Sequence, residues 1–156
     1  MTDQIVVLTI DQSPLITNAN APFESPDADA ILRSSDKVDF RVFKMFLAFA
    51  SPIFKDIFAL PRGSGRHSTR KDEMKDGLPI IQMAENSGTV ENLLKFCHPT
   101  PISKAPVFNV LDDAIALWEA ADKYEMYEVM NQARGALLTP PLIDMRIFAI
   151  VGIDGK

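Results

Sequence analysis

Residues 38–58 read VDFRVFKMFLAFASPIFKDIF, and the period of their side chains changes at Phe43. Before it, Val38, Phe40 and Val42 alternate with Asp39 and Arg41, the period of two that marks a half-buried strand. After it, Phe43, Phe46, Leu47 and Ala50 fall at helical spacing, so Lys44 to Ala50 is predicted to form a short helix. Ser51-Pro52 then starts a second helix, with Ser as N-cap and Pro at the first helical position, and Ile53, Phe54, Ile57 and Phe58 give it an apolar stripe. Six of the ten phenylalanines lie between Phe40 and Phe58. The first helix is apolar almost all round, and one face of it exceeds what a domain this small can bury in its own core. Either the domain's own elements cover that face or another protein does. In the second case Met45, Phe46 and Phe49 form an interface, because leaving each large apolar side chain in water forfeits roughly 1.5–3 kcal/mol.

Working outward, Ala28 to Leu32 reads as a strand and Ser34 to Lys37 as a turn, which makes a hairpin with the alternating strand. Farther upstream, Ile5 to Ile10 is a short β-branched strand candidate, and Asp11 to Pro26, rich in Ser, Pro, Asn and Asp, reads as a linker. Downstream, Leu60 to Pro79 is a polar, glycine-containing loop, and Leu78 to Met83 a third strand. Ser87 is expected to cap a helix that carries Val90, Leu93, Leu94 and Cys97 on one face. Pro99-Thr100-Pro101 stops it, and Ile102 to Pro106 is a further loop. In the next helix, Leu111 to Tyr124, the residues Leu111, Ala114, Ile115, Trp118 and Ala121 share a face, and Asp112 and Asp113 occupy the first turn. A last helix, Tyr127 to Leu138, packs Val129, Met130, Ala133 and Leu137. The sum is an α+β domain, a small three-stranded sheet flanked by five to six helices.

Composition narrows the function. The 156 residues carry 16 basic and 21 acidic side chains, a formal charge of −5, which argues against nucleic-acid binding. The basic cluster of Arg62, Arg66, Arg70, Lys71 and Lys75 is interleaved with acids and lacks an aromatic partner for base stacking. One cysteine leaves no disulfide framework and fits a reducing compartment. The most apolar run, Met45 to Phe54, has ten residues, short of the roughly 18 a bilayer span requires, and the first residues lack the features of a secretory signal. An intracellular protein with no membrane partner is expected, in cytoplasm or nucleus. Cys97 and His98 are adjacent, so on a helix they point about 100° apart and form no catalytic pair. Gly63-Ser64-Gly65-Arg66 lacks the Lys-Ser/Thr of a phosphate loop. No catalytic residues, metal ligands or cofactor site are expected. An enzyme or small ligand-binding protein using residues 60–79 as a lid is the alternative, and it would show a concave site with convergent polar groups.

Residues 27–35, then 38–44, and then Leu47 and 50–58 strongly resemble the opening of a BTB/POZ domain. That family's pattern is an Asp-Val strand, a Phe-x-x-His-Lys strand end, a Leu, and Ser-Pro-x-Phe. Leu78-Pro79-Ile80-Ile81, the Leu93-Leu94 helix ending in Cys97, Pro99-Thr100-Pro101 and Ala120 to Met126 are similar to its fungal, basidiomycete-type branch. Two positions depart: the family's His is Phe43, and its Tyr at the end of the Leu-Leu helix is His98. The resemblance covers about residues 23–138. Residues 1–22 are then an N-terminal extension, and 139–156 an apolar tail that resembles the start of a helical extension. The resemblance implies a non-enzymatic interaction module that homodimerises through its first helices. It also implies a charged pocket at the dimer surface, with Asp29 and Lys44 near it. Some relatives are adaptors for cullin-3 ubiquitin ligases, docking through the region that corresponds to Met74–Met83 and Pro99; others tether transcriptional regulators.

Overall fold

The computed structural model describes residues 14–60, 73–99, 108 and 110–138. The strand candidate at 5–10, the loops at 61–72 and 102–106, and the tail at 139–156 lie outside the described residues. In chain order the elements are β1 (Thr17–Asn18), β2 (Ala30–Arg33), β3 (Val38–Val42), α1 (Lys44–Ala50), α2 (Pro52–Ala59), β4 (Met74–Lys75), β5 (Leu78–Gln82), α3 (Ser87–Cys97), α4 (Leu111–Lys123) and α5 (Tyr127–Leu137).

The change of period at Phe43 is the corner between β3 and α1. β2 and β3 form the expected antiparallel hairpin, with Ala30 opposite Val42 and Arg33 opposite Asp39. β5 runs parallel to β2 on the other side, Ile31 against Ile80. Among the described residues the sheet has five strands rather than three, ordered β1-β3-β2-β5-β4. The two extra strands sit at the edges and are two residues long, too short to carry any side-chain period. β1 lies inside the stretch read as a linker. Its Thr17 and Ala19 amides donate to the carbonyls of Lys37 and Asp39, and Phe23 follows as a fully buried core residue. Ser, Pro and Asn report turns correctly there, but nothing in them reports that the segment is pinned along β3. β4 lies inside the polar loop and pairs back on β5 through Asp76-Gly77, both at positive φ (53° and 74°) as a two-residue hairpin turn requires.

The core lies between the sheet and the helices: Leu32, Phe40 and Val42 face Leu47, Phe54, Val90, Leu94, Leu117 and Met126. One helix start and one helix face depart from expectation. The N-cap of α3 is Asn86, whose side chain accepts from the Thr89 amide. Ser87 is the first helical residue, and both its amide and its hydroxyl donate to Asp36 (2.7 and 2.6 Å). The α4 face also turns relative to expectation: Ala114, Leu117, Ala120 and Ala121 enter the core, while Trp118 stays 37% exposed. Three alanines let α4 approach its neighbours closely, and the wide indole fits outside that contact.

The start of α2 interlocks with the end of α4. Ser51 is buried, its hydroxyl accepts from the Phe54 amide as the N-cap, and the same hydroxyl donates to the Tyr124 carbonyl. Phe54 stacks on the Tyr124 ring with centroids 4.7 Å apart. The Ser-Pro-x-Phe and Ala-Ala-Asp-Lys-Tyr stretches, 73 positions apart at Ser51 and Tyr124, are thus two halves of one contact.

Candidate protein-interaction surface

Helix α1 has seven residues and buries one of them, Leu47. Its N-cap position is Phe43, which offers no side-chain acceptor. Asp29, just ahead of β2, takes that role: its carboxylate accepts from the Lys44 amide at 2.7 Å. The structure therefore brings Asp29 and Lys44 together, through a carboxylate-to-backbone bond. Among the described residues Asp29 is in no ion pair with the Lys44 ammonium. An amide at the first turn has no partner within its helix, so a carboxylate within reach satisfies it.

The three apolar residues singled out on α1 separate. Phe46 is half-buried, edge-to-face with Phe43 (centroids 5.7 Å apart) and with His98 (5.5 Å). Met45 is 69% exposed and Phe49 96% exposed. They are four positions apart, hence neighbours on one helix face. The domain's own elements cover the Leu47 and Phe46 side of α1, and leave Met45 and Phe49 in water.

No activated nucleophile stands beside this surface among the described residues. Burial pushes the Cys97 thiol up to about 12, so it stays protonated, and its sulfur donates to the Leu93 carbonyl. Burial likewise pushes the Tyr124 hydroxyl up to about 12, and the bond it donates to Glu85 adds to this. No group of three or more His, Cys, Asp or Glu among the described residues could hold a metal ion.

His98, which stands where the family pattern has Tyr, lies flat on Phe23 with ring centroids 5.2 Å apart. Its Nδ1 is buried without a hydrogen-bond partner, and desolvation holds its pKa below the ordinary imidazole value of 6.5. The unfolded chain then takes up the proton first as pH falls, so the neutral ring stabilises the fold above about pH 6.5 and that contribution is lost below it. The urea midpoint is expected to drop between neutral pH and pH 5.5, and His98→Phe to remove that drop. An identical pH slope in the variant would count against this account.

One cluster escaped the sequence reading. Arg33 and Asp39, 3% and 2% exposed, pair across the β2–β3 hairpin through two hydrogen bonds of 2.6 and 3.0 Å. Glu73 also accepts from Arg33, and Lys75 donates to Asp39 (2.7 Å) and to Asn18 (2.9 Å), which ties both edge strands to the hairpin. The signal available in the sequence is an Arg and an Asp flanking one turn. Asp36, in the turn between β2 and β3, is also engaged, through Ser87.

A model of the BTB/POZ domain family matches residues 20–140. Among solved structures, the chain is similar to the BTB domain of zebrafish PATZ1 at 19% identity, with a TM-score of 0.49 over 70% of this chain and 75% of that one. A search of curated proteins gives no match.

Proposed function

Because the chain belongs to the BTB/POZ domain family, whose members are generally non-enzymatic protein-interaction modules, we propose that it homodimerises through α1 and recruits partner proteins as a dimer. The single observation that carries the reading is the Met45–Phe49 face, 69% and 96% exposed on a helix whose other side is packed. Two copies related by a two-fold axis would each present the same patch, so each pair of side chains covers the other. Asp29 and Lys44 belong to this surface because their bond fixes the first turn of α1, and with it the direction of Met45. The Ala120–Met126 and Pro99–Pro101 stretches support a fungal-type member.

Light scattering at micromolar concentration is expected to give about twice the 17.3 kDa chain mass. Phe49→Asp is expected to weaken self-association by at least about tenfold, since a central aromatic typically carries much of such an interface. Its far-UV circular dichroism should not change, because Phe49 contributes nothing to the core. A monomer in the unmodified chain, or a variant that dimerises equally well, would overturn the reading. The adaptor role for cullin-3 is a narrower form of it, and it rests on the family resemblance alone, because Met74 in the corresponding region is followed by Lys75 and Asp76 and not by the Glu such relatives often carry there. Co-purification with a cullin-3 N-terminal domain separates this from a transcription-associated scaffold.

A further inference from the structure

Between α4 and α5 lies an open groove of about 610 Å³, lined by Ile115, Trp118, Met130 and Leu138 with Glu119 and Arg134 beside them. We propose that it is the seat of residues 142–151 of this same chain. The argument starts from where the chain goes. Leu138 both lines the groove and precedes directly the stretch at 139–156, so the segment is delivered to the groove's own edge. Pro140-Pro141 cannot continue α5, and the five residues Thr139 to Ile143 reach up to about 16 Å when extended, enough to turn back.

Length and chemistry fit as well. Met130 to Leu138 spans about 12 Å along α5, and Asp144 to Val151 as a helix would span about the same. Met145, Phe148 and Ala149 stand at i, i+3 and i+4, one apolar face for an apolar groove. Asp144 and Arg146 supply one charge of each sign, and Arg134 and Glu119 supply their opposites. A helix this short is marginal alone in water and gains order only by docking. The groove is on a different element from the α1 face, so the proposal stands independently of dimerisation.

Trp118 is the only tryptophan in the chain, so its fluorescence reports on the groove alone. In the full chain, Phe148→Asp is expected to shift the emission to the red and roughly to double the acrylamide quenching constant, as cover over the indole is lost. The difference should persist on dilution. Hydrogen exchange in the unmodified chain should show protected amides within 144–151. An unchanged quenching constant, or exchange at the free-peptide rate across that segment, would overturn the proposal. A quenching difference that vanishes on dilution would overturn it in favour of a second copy filling the groove, and protection that appears only when another protein is added would assign the groove to that partner.

Discussion

Asp39→Ala is expected to destabilise the fold by about 3–5 kcal/mol, the range for removing one partner of a buried ion pair. The Asp39 carboxylate, 2% exposed, is held by Arg33 and Lys75, and without it the Arg33 guanidinium stays buried with Glu73 as its remaining acid. Asp76→Asn breaks a comparable contact with Arg41 at the surface, where such pairs are worth about 0–1 kcal/mol, and it keeps a side chain that tolerates the positive φ there. Replacing the pair together, as Arg33→Met with Asp39→Leu, should restore most of the loss, since no fully buried charge is then stranded and the side chains of Glu73 and Lys75 both reach water. Burial alone would raise the Asp39 carboxyl, but the hydrogen bonds from Arg33 and Lys75 override it and hold the group below the usual carboxylate range. The pair therefore stabilises the fold above about pH 4, and that contribution is lost as pH falls through the lowered folded value. Urea unfolding at pH 7 decides the matter: a loss below about 1 kcal/mol for Asp39→Ala would mean the charges are solvated after all.

Phe54→Ala is the other severe variant, with about 3–5 kcal/mol expected for an aromatic ring deleted from a packed core. Phe54 is 1% exposed, stacked on Tyr124 at 4.7 Å and against Phe58 at 6.0 Å. Phe49 belongs to the same aromatic run, yet Phe49→Ala should change the stability of the isolated monomer by no more than about 0.5 kcal/mol. The comparison is made by urea unfolding at concentrations where the chain is monomeric. Similar losses for the two variants would show that the α1 face is covered within the monomer.

The contrast between these two phenylalanines shows what was legible beforehand. Periodicity locates β3 and the apolar stripes of the longer helices, whereas β2, with all four residues buried, and β5 are legible only as short apolar runs. Beyond that, an apolar α1 could be read, but which of Met45, Phe46 and Phe49 is packed depends on Phe43 and His98 arriving from elsewhere. β1 and β4 have two residues each and are held by backbone bonds to their neighbours, which no side-chain pattern encodes. Asp76-Gly77 is the one readable sign of β4, a hairpin dipeptide set within a polar loop. Asp29 and Asp36 act as acceptors for helix amides far along the chain, at Lys44 and Ser87, so their roles exist only once the fold has formed.

The Ser51–Tyr124 interlock decides how the domain comes apart. If α1 and α2 peeled away while α4 stayed in place, the Ser51 hydroxyl and the Tyr124 carbonyl would lose each other and the Phe54 ring its stack. Glu85, in the loop between β5 and α3, accepts from Tyr124 and Lys123 at 2.9 and 2.8 Å and so holds the end of α4 against the sheet side of the domain. Partial opening of either half thus costs nearly as much as opening both, and the two halves behave as one cooperative unit. Amides in α2 and in the last turn of α4 are accordingly expected to exchange with solvent at a common, slow rate set by global unfolding. Clearly different rates would mean that one half can detach first. Neither half is then a minimal domain, and a chain cut between them would have to reassemble before it could hold any partner.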